Sequence, residues 1–150
     1  MKVNAKEMLI ANLQSLQDMS DWLTRAYKTC SKIPLKSKFT PEEFDAFEVL
    51  TSRFARTIDL LINKVFRSID QVELEPQATI IDVINRAHKR DLFKSADEVR
   101  KMKELRNEIA HEYTAKDLQQ IFANVLVYTP TLLEVIANTL RYCHYPEYQK

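Results

Sequence analysis

The chain has 150 residues and contains no glycine. An average soluble protein of this length would have about ten. Glycine supplies the positive φ angles of tight hairpin turns and lets a backbone approach a phosphate closely. Its absence excludes the Rossmann fingerprint, the Walker phosphate loop and the EF-hand loop, because each needs glycine at a fixed position. It also disfavours a sheet of short hairpins, so the first expectation is an all-α domain.

Cysteine and long apolar runs are also scarce. Cys30 and Cys143 are too few for a disulfide framework or a zinc site. Residues 1–13 carry internal charges, which does not fit a signal peptide. No run approaches the roughly 18 apolar residues of a membrane span. We therefore expect one domain over residues 1–150, a cytoplasmic location, and no metal, cofactor or membrane partner.

The charge is balanced overall but divided by segment. The net charge is +1, yet residues 86–106 hold eight basic and four acidic residues, whereas residues 41–75 hold four basic and eight acidic. Residues 23–40 hold five basic residues and no acid: Arg25, Lys28, Lys32, Lys36 and Lys38. Such a distribution permits a basic groove without a basic protein.

Capping signals and apolar periodicity predict an up-and-down bundle of four to five helices. The first two should form a long antiparallel hairpin of about 25–30 residues per arm. Asn4 caps the first helix, which ends before Pro34. Thr40 caps the second, with Pro41 at its first position. The second helix has the most regular apolar stripe, formed by Phe44, Phe47, Thr51, Phe54, Ile58, Leu61 and Val65.

Three further helices follow this hairpin. A short helix is predicted from Pro76 to about Lys89. The fourth helix starts at Ser95 and runs to about His111. The fifth starts at Thr114, and Pro130 should kink or interrupt it. We expect the tail, residues 142–150, to fray.

The segment around Arg106 differs from the rest of this bundle. At about 100° per residue, Arg106 lies at the margin of the buried stripe of the fourth helix. Arg100, Lys103, Asn107 and His111 fall on the polar sector beside it. Four basic or imidazole groups in one sector make a plausible phosphate site, with Arg100 and Lys103 as the phosphate contacts. Such a face on a surface helix is more often merely solvated, and a marginal arginine more often pairs with a carboxylate.

The same segment carries a recognisable motif. Arg106 is followed by four residues, then His111, any residue, and Tyr113. This pattern, late in a small helical bundle, resembles the signature of the HEPN superfamily. More narrowly, it resembles the minimal, HepT-like ribonuclease toxins of HEPN–nucleotidyltransferase toxin–antitoxin modules. The polar Asn107 directly after the arginine also fits that resemblance.

The resemblance implies a metal-independent endoribonuclease that works as a homodimer. Arg106 and His111 of each chain would share one composite site, with Asn107 in a supporting role. His111 would handle protons and Arg106 would stabilise transition-state charge. The substrate would be RNA, either tRNA or mRNA, because the attacking group is the ribose 2′-OH. The antitoxin partner would be a cognate minimal nucleotidyltransferase that transfers AMP to Tyr113.

Two other functions remain open from the sequence. HEPN-like bundles also include non-catalytic partners of minimal nucleotidyltransferases that bind nucleotide or substrate, and the motif could be accidental in a plain helical interaction protein. Other candidate residues carry weaker signals. His88 belongs either to a solvated basic face or to an extended RNA track, and Asp18 and Asp21 are carboxylates that could enter the cleft.

Overall fold

The computed structural model describes residues 4–111 and 114–147, and over these residues the chain forms five helices and no strand. Helix α1 spans Ala5–Cys30. Helix α2 is continuous over three segments: Pro41–Asp59, a π-helical segment Leu60–Phe66, and Arg67–Val72. Helices α3, α4 and α5 span Ile80–Lys89, Ala96–Ile109 and Ala115–Tyr142. The prediction of an all-α bundle is confirmed.

Side-chain caps begin the helices at nearly every predicted position. The Asn4 side chain accepts a hydrogen bond from the Glu7 amide at 2.8 Å. Thr40 and Thr114 form complete capping boxes, in which each cap and the residue three positions later exchange hydrogen bonds. Ser95 caps α4. The prediction for α3 was wrong by one turn, since α3 begins after its cap Thr79 rather than at residue 76.

Three helices end in a left-handed residue even though the chain has no glycine. Leu74, Asp91 and His144 follow α2, α3 and α5 with φ angles of 60°, 60° and 53°. Each lies in a six-residue turn in which backbone N–H groups donate hydrogen bonds to the last carbonyls of the helix. The Asp91 N–H, for example, donates to the His88 carbonyl at 3.0 Å. A side chain in this region costs about 1 kcal/mol or more. Residues with a side chain therefore occupy the left-handed positions that glycine usually takes, and the backbone is strained there.

The N-terminal hairpin is the centre of the bundle. α1 packs along all three segments of α2, and α5 packs against both helices. The apolar stripe of α2 faces inward as predicted, with Phe47, Phe54 and Val65 fully buried. α4 crosses the first segment of α2 and also contacts α5. The last turn of α4, where the motif lies, is thus held between α2 and α5.

α5 runs as one helix with Pro130 inside it, so the predicted interruption does not occur. By length and hydropathy alone, residues 117–142 pass a test for a membrane span, with a window of mean hydropathy 1.4. The same helix buries Phe122, Val125, Leu132 and Ile136 in the core of the bundle. A helix that is buried in the core is apolar on several faces, and it therefore reaches the hydropathy of a membrane span.

The start of the tail packs on the bundle, and the fraying expected for residues 142–150 stays a prediction. The Tyr142 hydroxyl donates to Glu73 at 2.6 Å, and the Tyr145 hydroxyl donates to Gln14. Cys143 is buried, as is Cys30, and neither forms a disulfide. Burial raises the pKa of each thiol to about 11, so both stay protonated and neither is a nucleophile at neutral pH.

Candidate functional site

The motif lies where α4 ends. Arg106 is on the last turn of the helix, Ile109 is the last helical residue, and Ala110 is the C-terminal cap. The His111 amide donates to the Glu108 carbonyl at 3.1 Å, which tightens the chain into a turn. His111 lies in this turn, directly after the helix, and is exposed. Tyr113, the predicted modification site, lies outside the described residues.

Arg106 forms a two-pronged ion pair with Asp59 of α2. Its Nε donates to Asp59 Oδ1 at 2.6 Å and its Nη2 donates to Asp59 Oδ2 at 2.8 Å. This is the parallel geometry that fixes a guanidinium plane against a carboxylate. The hydrogen bond to Asp59, together with the charge of that carboxylate, raises the pKa of Arg106. The arginine is thus charged and held in one orientation.

This ion pair is open to solvent. The side chains of Arg106 and Asp59 are 30% and 34% exposed. Asp59 occupies the Nε–Nη2 edge of the guanidinium, and over the described residues the Arg106 side chain makes no other hydrogen bond. The second edge, Nη1–Nη2, presents another pair of N–H donors with the spacing that phosphate oxygens accept. Arg106 can therefore keep its carboxylate partner and bind an anion at the same time.

Two lobes of one cleft meet at this ion pair, and both are lined by Arg56, Asp59 and Arg106. The first lobe, between α2, α4 and α5, has a volume of about 400 Å³. The second lobe, between α2 and α4, has a volume of about 440 Å³. We call the two lobes together the motif cleft. The pair is part of the lining that the two lobes share.

The second lobe is cationic. Arg56, Lys64 and Lys103 line it beside Arg106. Over the described part of the chain, none of Arg56, Lys64 and Lys103 forms an ion pair with a carboxylate. Asp59 is the one acidic residue among those that line this lobe. Unpaired cations facing a groove attract a polyanion and suit a phosphate backbone.

A family model described as "Ribonuclease HepT-like" matches residues 10–139. The chain belongs to the HepT-like ribonuclease family. The match spans α1 to α5 and includes the whole motif cleft. Comparisons with curated proteins and with solved structures gave no match.

The HepT-like motif cleft contains some of the residues expected from the sequence. Arg106 and Lys103 line it, and Ala110 lines the first lobe directly before His111. Arg100 does not line either lobe, because its guanidinium donates to Asn85 of α3 at 3.1 Å. Arg100 lies farther round α4 and faces α3, so its phosphate contact stays a prediction outside the motif cleft.

Asn107 and the weaker candidates lie outside the cleft. Asn107 is exposed on α4 and is not among the described residues that line either lobe. His88 stacks on Phe93 with ring centroids 5.6 Å apart, and its Nε2 contacts the Lys94 carbonyl. The carboxylates of α1 and the basic segment that follows it lie on the surface of the hairpin. Asp18 and Asp21 accept from glutamines one turn earlier on α1, and Lys36 pairs with Glu43 at 2.9 Å.

Sequence reasoning missed three cleft residues of α2. Asp59, Arg56 and Lys64 were not singled out, although Asp59 interrupts the apolar run from Ile58 to Ile62 and an isolated charge there is a usable signal. The π-helical segment begins directly after Asp59. Such segments are frequent at functional sites and shift the faces of the residues on either side. The periodicity of the sequence does not predict this π-helical segment.

No cluster of three or more metal-binding side chains occurs among the described residues. What the cleft offers instead is an oriented guanidinium, three further cations and a histidine at the adjacent helix end. These groups can bind phosphate, hold developing negative charge and move a proton.

Proposed function

We propose that this HepT-like protein is a metal-independent endoribonuclease toxin of a two-gene toxin–antitoxin module. The observation that carries the proposal is the open Arg106–Asp59 pair, in which one edge of the guanidinium has no partner among the described residues and the arginine lines a cation-rich cleft. Membership of the HepT-like family supports RNA as the substrate. A phosphate of RNA, from tRNA or mRNA, would bind the free Nη1–Nη2 edge of Arg106.

In the proposed reaction the ribose 2′-oxygen attacks the adjacent phosphorus. The 2′-O–P bond forms, the P–O5′ bond breaks, and the products are a 2′,3′-cyclic phosphate and a 5′-hydroxyl. One imidazole removes the proton of the 2′-OH and another protonates the leaving 5′-oxygen. Arg106 stabilises the charge that collects on the phosphoryl oxygens. No redox step or metal is needed for this balance.

The need for a base and an acid supports a homodimer. Each chain brings a single motif histidine, His111, and a single motif arginine, Arg106. A two-fold axis close to the end of α4 would supply two of each to one composite site. His111 is exposed at that end, which is compatible with such an arrangement. Asn107 is also exposed on the last turn of α4, and in such a dimer it would have a supporting role in the composite site.

The proposed antitoxin is a cognate minimal nucleotidyltransferase that transfers AMP to Tyr113. The tyrosine follows His111 by two positions in the sequence. A bulky, negatively charged nucleotide at that point would oppose RNA at a cleft lined by Arg56, Lys64 and Lys103. A cytoplasmic location, where RNA and the antitoxin are both present, completes the proposal.

The test is RNA cleavage by the purified full chain in excess EDTA. We expect the wild-type protein to cleave RNA and His111→Asn to lose all cleavage, because an amide cannot transfer protons as imidazole does. His144→Asn is the matched control and should cleave like the wild type, since His144 lies at the far end of α5.

Two results would overturn the proposal. Inert wild-type protein at high concentration towards tRNA, mRNA and rRNA would refute the nuclease. If it then binds nucleotides in a calorimeter, the non-catalytic binding partner is the better function. Cleavage that disappears with EDTA would refute metal independence.

A further inference from the structure

The first lobe of the motif cleft has a different chemical character from the second. Its floor is apolar, formed by Ile109, Leu118 and Phe122. Its α2 wall carries Glu48 and Thr51, which lie one helical turn apart on the same face. The lobe is open and about 400 Å³ in volume, which accommodates a group of the size of a nucleobase. A phosphate alone would leave the apolar floor unused.

Thr51 is the most informative residue of this lobe. The residue is 7% exposed, yet over the described residues its hydroxyl has no hydrogen-bond partner. Five other threonines within the helices donate their hydroxyl to the carbonyl four residues earlier. They are Thr24, Thr29, Thr57, Thr129 and Thr139. A buried hydroxyl without a partner is unfavourable, so a group that enters the lobe and bonds to it gains free energy.

We propose that the first lobe is a base-binding subsite that selects guanine beside the scissile phosphate of RNA. The proposal rests on the proposed ribonuclease function and names the specificity of the same site. The base would lie over the floor of Ile109, Leu118 and Phe122, and its edge would meet Glu48 and Thr51. Unpaired bases of single-stranded RNA are read in this way, by an apolar face and by hydrogen bonds to the Watson–Crick edge.

The carboxylate of Glu48 selects among the four bases. Guanine presents two adjacent donors, N1–H and the N2 amino group, which match the two oxygens of a carboxylate. Adenine and cytosine present one amino group next to an acceptor nitrogen, and uracil presents one N–H between two carbonyls. The hydroxyl of Thr51, as a donor, suits guanine O6. The pair of side chains therefore favours guanine over each other base.

The position of the lobe determines which base it reads. Arg106, Asp59 and Arg56 line both lobes, so the subsite begins at the guanidinium that would hold the scissile phosphate. A base in the first lobe belongs to a nucleotide directly joined to that phosphate, while the cations of the second lobe would hold the continuing backbone. Cleavage should therefore depend on the base at one of the two positions that flank the cut.

The test compares oligoribonucleotides that differ at the flanking positions. We expect the wild-type protein to cleave best with guanine at one flanking position, and Thr51→Val and Glu48→Gln each to lower that preference about tenfold or more. Thr51→Val should not lower the melting temperature, because it removes a hydroxyl that has no partner in the free protein. Thr139→Val is the matched control; it breaks a buried hydrogen bond on α5 and should keep the base preference.

A binding arm separates this inference from the nuclease itself. An oligonucleotide with a single 2′-deoxy substitution at the cleavage position cannot react, yet it still presents the same base. Guanine-dependent binding that Thr51→Val weakens supports the subsite even if no cleavage is seen. Equal cleavage and equal binding with all four bases would overturn it, as would a guanine preference that Thr51→Val and Glu48→Gln leave unchanged.

Discussion

Two aspartates of α2 pair with arginines from later helices, and their surroundings differ sharply. Asp70 binds Arg86 at 3.1 Å and Arg90 at 2.8 Å, and its side chain is 7% exposed. Asp59 binds Arg106, and its side chain is 34% exposed. We call the first the closed pair and the second the open pair. Both join α2 to the C-terminal half of the chain, but only the closed pair is surrounded by protein.

The closed pair has its donors and acceptors satisfied from within the chain. Arg90 also donates to Glu73 at 3.1 Å, and Arg86 also donates to the Pro76 carbonyl at 2.8 Å. The open pair lines a cleft with three further cations, and one edge of its guanidinium has no partner among the described residues. The same two residue types thus form a buried ion pair in one place and a solvent-exposed ion pair beside a cationic cleft in the other. Two features distinguish the pairs: how deeply each is buried, and whether the arginine edge that does not bind the aspartate has a partner of its own.

The largest expected effect is on cleavage, at the open pair. We expect Arg106→Ala to lower kcat/KM by about 10²–10³-fold, because it removes the group that holds transition-state charge. Arg106→Lys should fail as well, since an ammonium cannot bind Asp59 and a phosphate through two planar edges. Single-turnover cleavage of one RNA measures both variants.

The control for Arg106→Ala is Arg90→Ala in the closed pair. It should lose stability but retain the cleavage rate per folded molecule. Equal losses of cleavage in the two arginine variants would remove the distinction between the pairs.

A large effect on stability is expected at the closed pair. Asp70→Asn removes the buried carboxylate that Arg86 and Arg90 share, so Arg90 keeps only Glu73 and Arg86 only Glu75, and the Arg90 side chain is 8% exposed. Breaking such a buried pair costs about 3 kcal/mol. Urea denaturation followed by circular dichroism measures the loss in the free energy of unfolding. A change as small as that of an exposed pair would show that the closed pair is not structural.

Asp59→Asn tests the open pair from its acidic side. We expect less than about 1 kcal/mol of lost stability, since both partners are partly exposed. Arg106 would lose its fixed orientation, so kcat should fall about tenfold. KM for RNA should fall too, because a negative charge leaves the cleft. A kcat and KM that both equal those of the wild type would show that Asp59 does not orient the arginine.

The smallest expected effect lies just beyond the closed pair, at Leu74. This residue has a φ of 60° and is 88% exposed, so its side chain contributes strain and little packing. Leu74→Gly should raise the free energy of unfolding by about 1 kcal/mol. Chemical denaturation measures the gain, and cleavage should not change because the open pair is remote from this turn. A loss of stability would contradict the account of how the helices end.

Local signals in the sequence predicted most of the fold. Thr40 and Thr114 mark helix starts by hydrogen bonds to residues three positions away, and the α2 stripe from Phe47 to Val65 follows from helical periodicity. The start of α3 was missed although its signal is local, because Thr79 caps the helix by accepting a hydrogen bond from the Asp82 amide. The π-helical segment after Asp59 could not be predicted, because no local pattern of the sequence marks it.

The candidate site was only partly predictable for the same reason. Arg106 could be found from the motif and from its place on α4, and Lys103 from its sector of the helical wheel. Asp59 could not be assigned to Arg106, because 47 positions separate them and the fold alone brings them together. The helical wheel gave the direction of Arg100 around α4 but not the neighbour in that direction, which is Asn85 of α3.

The most direct test of the central claim is an analysis of the RNA ends left by the wild-type protein in excess EDTA. The claim is that an oriented arginine and a histidine, without metal, drive attack by the 2′-oxygen. We predict a 2′,3′-cyclic phosphate on one fragment and a 5′-hydroxyl on the other, and no such ends with His111→Asn. Fragments that carry a 5′-phosphate and a free 3′-hydroxyl would contradict it, because they require an attacking water instead.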